Sequence, residues 1–264
     1  MSGFADDRGY ELLMGRWSRL LGHEFVRFTG AGEKDRVLDV GCGTGSLTVA
    51  TLSAGPVAEI IGIDPSSIFV DSARDHIRDP RVRFEIGVAG HLPFSDGAFD
   101  RTMAMLVLNF VPDPGAAAAE MRRVTRSGGR VAACVWDYGG EMRMLRWFWD
   151  TAEGLDPSAA PRHEGRMPLC RRGELEALWR EAGLVNIREA GITIECRFAS
   201  FADFWQPFLS GVGPSGGYAA SLPPDLRQAL EAKLRRELWG DRPDGGRVLP
   251  ARAWAVAGTV PAES

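Results

Sequence analysis

Gly41, Gly43 and Gly45 alternate in the run Val37-Leu38-Asp39-Val40-Gly41-Cys42-Gly43-Thr44-Gly45. Val37, Leu38 and Val40 suit a strand buried on both faces. Ser46-Leu47-Thr48-Val49-Ala50 reads as the first turns of a helix. A strand joined to a helix through alternating glycines brings backbone N–H groups and a helix N-terminus close to a ligand that a Cβ would hold off. Two carboxylates accompany the loop. Asp39 precedes Gly41 by two residues, and Asp64 closes the apolar run Ile60-Ile61-Gly62-Ile63. The spacing is G-x-G-x-G, not the G-x-G-x-x-G of dinucleotide sites, and no Gly-Lys-Ser/Thr follows as in a P-loop. An acid at position 39 is unhelpful beside a pyrophosphate and suits a ligand carrying positive charge or hydroxyls. An acid at the end of the second strand is placed for ribose hydroxyls.

These residues need a sheet to hold them. Strands are predicted near 36–40, 58–63, 82–86, 99–105 and 129–136, with helices near 46–54, 66–78 and 113–126. The alternation implies a parallel sheet covered on both faces. Asp113 is a helix N-cap with Pro114 at the first position, and Ser127-Gly128-Gly129 is expected to end that helix and turn into the next strand. Residues 137–171 break the pattern with Gly139-Gly140, the cluster Trp147, Phe148 and Trp149, and a proline-punctuated stretch. A helix near 172–182 closes at Gly183, and a strand follows over 184–198. Residues 199–243 read as helical and aromatic with a Gly/Pro-rich interruption at 211–217, and a last strand begins at Trp254. One or two amphipathic helices are expected over 8–28.

The chain has 264 residues, 45% hydrophobic and 25% charged, enough for one large α/β domain. A formal net charge of −4 argues against the usual basic nucleic-acid surface. No membrane-length apolar run appears. The first seven residues lack the basic and apolar regions of a signal peptide, so a cytoplasmic protein is expected. Cys42, Cys134, Cys170 and Cys196 show no paired spacing, which argues against a disulfide scaffold or zinc ribbon. Cys134 and Cys196 fall in strands and read as core. No metal is expected.

In Val37–Gly45, Gly62-Ile63-Asp64-Pro65-Ser66, His91-Leu92-Pro93-Phe94 through Phe99-Asp100, and Ser127-Gly128-Gly129-Arg130, the chain resembles the class I S-adenosylmethionine (SAM)-dependent methyltransferases. The relevant group is the type 11 enzymes, which include the ubiquinone/menaquinone C-methyltransferases. The resemblance is firm over about 30–136. It implies a Rossmann-like, doubly wound seven-stranded sheet, mostly parallel with one antiparallel strand near the C-terminus. It implies a single domain over 1–264, with a core of about 30–136, 172–198 and 245–260 and cap segments of about 8–28, 137–171 and 199–243. The implied cofactor is SAM. Gly41, Cys42, Gly43 and Gly45, with Asp39, would lie at its methionine and sugar. Asp64 would hold the ribose diol, Pro65 or Ser66 the adenine face, Ala89 and Gly90 the adenine edge, and Met105 and Leu106 the methionine side. Many relatives have Asp-Ala-Glu where this chain has Val88-Ala89-Gly90, so the acid that would accept the adenine amino hydrogen is missing here.

Other candidates carry plainer readings beside functional ones. Arg16 is a partner for the cofactor carboxylate or one half of a surface ion pair; Tyr10 and Trp17 share its segment. Asn109, Trp136, Tyr138 and Trp147 are candidate substrate residues, although the aromatic cluster also reads as core packing. His163 is a candidate base or an ordinary surface histidine, His91 a solvated loop residue, and Asp100 a brace for the sheet. The expected activity is methyl transfer to carbon or oxygen of a small, largely apolar molecule, enclosed by the aromatic cap segments. The alternative is a SAM-binding protein of the same fold that transfers no methyl group. A dehydrogenase is disfavoured by the loop spacing. No catalytic residue is named, because a sulfonium is already electrophilic.

Overall fold

The computed structural model describes residues 7–30, 32–240 and 244–262; all of the N-terminal leader reading except Asp7 lies outside them. Seven strands form one sheet in the order β3-β2-β1-β4-β5-β7-β6. They are β1 Arg36–Val40, β2 Glu59–Asp64, β3 Val82–Ile86, β4 Phe99–Met105, β5 Thr125–Trp136, β6 Val185–Phe198 and β7 Arg247–Thr259. The first five are parallel, and β7 runs antiparallel to β5. The helices are α1 Asp7–Tyr10, continued by a π turn into α2 Arg16–Thr29, then α3 Ser46–Ala54, α4 Ser67–His76, α5 Pro114–Val124, α6 Arg143–Leu155, α7 Glu174–Glu181, α8 Phe201–Trp205, α9 Gly213–Ser221 and α10 Pro224–Trp239. This is the expected doubly wound, mostly parallel sheet. The strand order reverses between β1 and β4, the point at whose carboxyl ends open α/β sheets bind ligands.

Chain contacts divide the molecule into two compact units. One comprises 18–136, 168–192 and 253–264 and contains β1 to β5. Its core is the apolar run of each central strand, with Val37, Leu38, Val40, Ile60 and Ile61 at 0–1% exposure. Burial on both faces is why these strands are short and β-branched rather than alternating. Asp113 caps α5 by accepting from Ala116 N–H at 2.9 Å, with Pro114 in the first turn. At the other end of α2, Arg101 donates to the carbonyls of Thr29 and Gly30 and to Asp35 Oδ2, while Arg130 and Arg188 donate to the carbonyls of Thr29 and Phe28. Three guanidinium groups thus meet the carbonyl end of one helix, where its dipole favours positive charge.

The other unit comprises 1–17, 137–167 and 193–252. Its core is aromatic: Phe148, Trp149, Phe204, Trp205, Phe208 and Trp239 are at most 2% exposed, and Phe148 stacks on Phe208 at 4.5 Å. Asp137 binds it at the start of the second segment, accepting from Arg252 Nε and Nη2 at 3.0 and 2.6 Å. Of the segments expected as cap, 8–17, 137–167 and 199–243 fall in this unit, and 18–28 and 168–171 fall in the other.

Two local expectations are corrected. Ser127-Gly128-Gly129 does not end α5. The helix stops at Val124, Thr125 already pairs with Phe99, and the glycines form an irregularity inside β5 before Arg130 pairs with Arg101. Gly128 has φ +72° there, and its N–H reaches Val260 O. Residues 211–217 are not a break either. Only Gly211 and Val212 interrupt; α9 begins at Gly213 with Pro214 in its first turn. Gly216 lets that helix approach Gly211, where a Cβ would lie 3.2 Å from the backbone.

Candidate cofactor site

The glycine loop spends its N–H groups on the protein. Gly41 and Cys42 donate to Ile63 O at 2.7 and 3.1 Å, and Gly45 to Cys42 O at 2.9 Å. Gly43 donates to Asp64 Oδ2 at 3.0 Å. This corrects the reading of the loop as a set of donors turned to a ligand. The end of β2 lies alongside, and its carbonyl and carboxylate take those N–H groups first. The three glycines also differ in what a side chain would meet. A Cβ on Gly41 would lie 2.4 Å from Val107 Cγ2, and one on Gly45 2.3 Å from Ile77 Cδ1. Only Gly43, at φ +52°, faces open space, with nothing within 4 Å of a Cβ. Two glycines therefore permit packing, and one leaves room.

Asp64 is 8% exposed. Oδ1 accepts from Ser66 N–H at 2.9 Å, Oδ2 from Gly43 N–H. Each oxygen has a lone pair left over. Burial raises its pKa, and the two backbone N–H groups pull the other way. Asp39 lies deeper, at 1% exposure. Its Oδ2 accepts from Thr48 Oγ1 at 2.7 Å, and its Oδ1 is buried without a hydrogen-bond partner. Burial first, and the Asp64 charge beside it, push the Asp39 carboxyl up to about 7. Thr48 sits in the first turn of α3, and its spacing from Asp39 carries no signal legible in the sequence.

At the carboxyl end of β4, Met105 is buried and Leu106 sits at φ +64°. A leucine in the left-handed region costs on the order of 1 kcal/mol and marks a constrained position. Its N–H is held by Cys134 O at 2.8 Å, and the next residue is the Val107 that packs on Gly41. Beyond β3, Ala89 and Gly90 form a turn closed by His91 N–H on Val88 O at 3.2 Å. Glu120 and Arg123 of α5 brace the segment from Leu92 to Phe94, directly after this turn. Glu120 Oε2 accepts from Leu92 N–H at 2.8 Å, and Arg123 donates to the carbonyls of Leu92 and Phe94. The i, i+3 spacing of this pair is the sequence signal that could have found the brace.

Asp39, Gly41, Gly43, Gly45, Asp64, Met105 and Leu106 thus gather at the carboxyl ends of β1, β2 and β4, with Pro65, Ala89 and Gly90 in the adjoining loops. Cys42 is in the loop, but its side chain packs with Val70, Ala73 and Phe84, and burial pushes its thiol well up. Asn109, in a 3-10 turn, and Trp136, ending β5, are buried in this same unit. Arg16, Tyr138 and Trp147 belong to the aromatic unit. There Arg16 donates to Asp203 Oδ1 at 2.8 Å and lies over the Trp17 ring. His163, a candidate base or an ordinary surface histidine by its sequence, is buried and stacked on Trp149 at 5.7 Å. Its Nδ1 accepts from Gly165 N–H at 2.9 Å, and burial lowers its pKa. Trp149 Nε1 donates to Glu164 Oε2 at 2.7 Å, whose carboxyl burial raises to about 7. Asp100 braces the sheet as expected, accepting from Arg36 N–H and Arg126 Nε. Among the described residues no group of three His, Cys, Asp or Glu side chains is placed to hold a metal, and no helix is long and apolar enough to cross a membrane.

The donor set fits a SAM-type ligand and not a pyrophosphate. Two carboxylates stand where a phosphate would need free N–H groups, and those groups are already taken. A sulfonium with an ammonium and a ribose diol offers positive charge and O–H donors to those carboxylates. The open face of Gly43 leaves space for it. Comparison with known proteins agrees. Residues 38–133 match the methyltransferase domain family model. An uncharacterised methyltransferase of Schizosaccharomyces pombe is 37% identical over 144 residues, 47% of this chain and 52% of that one. Methyltransferase GfsG of Streptomyces halstedii is 41% identical over 106 residues, 39% of this chain and 37% of that one. Phosphoethanolamine N-methyltransferase 2 of Haemonchus contortus, solved with SAM, covers 97% of this chain and 58% of its own at TM-score 0.61 and 15% identity, a likeness of fold. The chain spans about half or less of the first curated relatives it matches. Over residues 38–133 the chain is thus similar to the methyltransferase domain family.

Proposed function

We propose that the whole protein transfers a methyl group from SAM to a small, largely apolar molecule at carbon or oxygen. The observation that carries this reading is the Asp64 carboxylate, fixed by Gly43 and Ser66 N–H groups beside the one open glycine of the loop. Bound there, SAM would supply an electrophilic methyl on a positively charged sulfur. The residues of this chain then have binding and orienting work. Asp64 takes the two ribose hydroxyls on its free lone pairs. Asp39 Oδ1 offers a hydrogen-bond acceptor beneath the loop. Met105 and Leu106 line the methionine side, and Asn109 and Trp136 face the acceptor. Such positioning supplies several kcal/mol of a displacement barrier without a dedicated base. The abundance of aromatic side chains in 137–167 and 193–252 supports an apolar acceptor, although most of them are consumed in that unit's own core.

Incubation with methyl-labelled SAM and an organic extract tests the proposal. Label should pass into organic-soluble product with the wild-type protein and, at SAM near the wild-type Kd, be reduced at least fivefold in Asp64→Ala. Tight binding of SAM with no transfer to any extract would favour the alternative, a cofactor-binding protein without methyl transfer.

A further inference from the structure

We propose that the first turn of α9 is a binding site for the carboxylate of an apolar acid. All of its residues belong to the aromatic unit, and the inference stands apart from the cofactor reading. A helix start leaves its first N–H groups without partners inside the helix, and they need a side chain, water or a ligand. α9 gives them no side chain. Its N-cap is Val212, which has no side-chain acceptor, and Pro214 has no N–H to offer. The N–H groups of Gly213 and Ser215 meet no acceptor among the described residues.

The side chain of Ser215 is a second and independent sign. It is 1% exposed, and its Oγ is buried without a hydrogen-bond partner among the described residues. Side chains of a helix lean towards its N-terminus, so this hydroxyl stands at the same end as the two N–H groups. A bare buried donor is unfavourable, and an acceptor that reaches it gains by relieving it. Val212 and Gly213 are buried as well, but Gly211, Pro214 and Gly217 around them are half-buried, so the turn lies near the surface. The charge of the ligand follows from what surrounds the turn. Residues 204–224 hold no acidic or basic side chain. The donors and the positive end of the helix favour a negative group. With no arginine or lysine in the segment, a single carboxylate fits better than a phosphate dianion. Arg162 donates to Ser221 Oγ, at the far end of the helix. The residues flanking the turn, Phe208, Leu209, Val212 and Tyr218, are apolar or aromatic, and Leu209 is 36% exposed. That setting suits an apolar body on the acid.

Nuclear magnetic resonance titration of the isotope-labelled protein with benzoate, hexanoate and inorganic phosphate, at fixed pH and ionic strength, reads the site without cofactor. Benzoate or hexanoate should shift the amide signals of Gly213 and Ser215 saturably, and phosphate should not. Ser215→Ala should weaken carboxylate binding at least fivefold. It should melt no lower than the wild type, because the serine Oγ bonds nothing in the free protein. Ser215→Asp places a carboxylate on the turn itself and should abolish binding of the added one. Saturable shifts with phosphate alone would overturn the choice of ligand. No shift with any of the three anions would mean that water fills the turn, and would overturn the site. So would unchanged affinity in Ser215→Ala, a melting temperature several degrees lower in that variant, or a folded Ser215→Asp protein that still binds benzoate.

Discussion

Asp64→Ala separates ligand binding from loop support. In the free protein the carboxylate accepts two buried N–H groups, from Gly43 at 3.0 Å and Ser66 at 2.9 Å. Losing those acceptors costs on the order of 1–3 kcal/mol each where water does not replace them. That loss is common to the free and bound states and cancels from the affinity. The affinity itself loses the diol, two hydrogen bonds to a charged acceptor, partly replaced by water. The net is about 1–3 kcal/mol, or roughly 5- to 150-fold in Kd. Calorimetric titration with S-adenosylhomocysteine measures it, and thermal melts without ligand measure the stability loss separately. The control is Asp100→Ala, which likewise removes acceptors, from Arg36 N–H and Arg126, but should leave Kd unchanged. The sign with pH is fixed. Burial raises the Asp64 pKa, and only the ionised form offers both oxygens as acceptors. Affinity therefore falls as pH drops through that pKa. A folded Asp64→Ala protein binding with wild-type affinity would refute the reasoning.

Gly41→Ala and Gly43→Ala should fail differently. The former drives a Cβ to 2.4 Å from Val107 and should lower Tm by several degrees, from about 1–3 kcal/mol of overpacking plus backbone strain. The latter should cost only about 1 kcal/mol of left-handed strain yet weaken S-adenosylhomocysteine binding at least tenfold. Asp39, at about 7 in the folded protein against about 3.9 unfolded, contributes stability that is full below about pH 4 and lost as pH rises through 7. The stability of Asp39→Asn relative to wild type should therefore rise between about pH 4 and 7, by on the order of 4 kcal/mol, then level off; urea unfolding of the free protein checks this, and a flat difference would contradict it. Arg16→Met should lower the melting temperature through loss of the Asp203 pair while leaving Kd for S-adenosylhomocysteine within about twofold. A tenfold loss would return Arg16 to the cofactor.

Much of the sheet was legible because its strands have local signatures. The runs ending at Val40 and Asp64 are apolar enough to be buried on both faces, and Asp113-Pro114 marks a helix start by chemistry that needs no distant partner. The errors lie where glycine is ambiguous. Ser127-Gly128-Gly129 satisfies a helix stop and a strand irregularity equally, and pairing of Thr125 with Phe99 decided between them. Gly213 to Gly217 reads as a loop until Gly216 is seen to be a point of close helix approach. His163 carries no local sign of burial, which came from Trp149 against it.

The residue order by itself narrowed the ligand: two acids and three glycines at strand ends suit positive charge and hydroxyls better than a pyrophosphate, and the resemblance to a family named the sulfonium. Which of those residues meets open space was a tertiary matter. Gly41 and Gly45 are required by Val107 and Ile77, residues 66 and 32 positions away in the chain, and the loop N–H groups are turned inward by the end of β2. Propensity and spacing act over a few residues, whereas free volume and spare hydrogen-bonding capacity exist only once distant segments have packed.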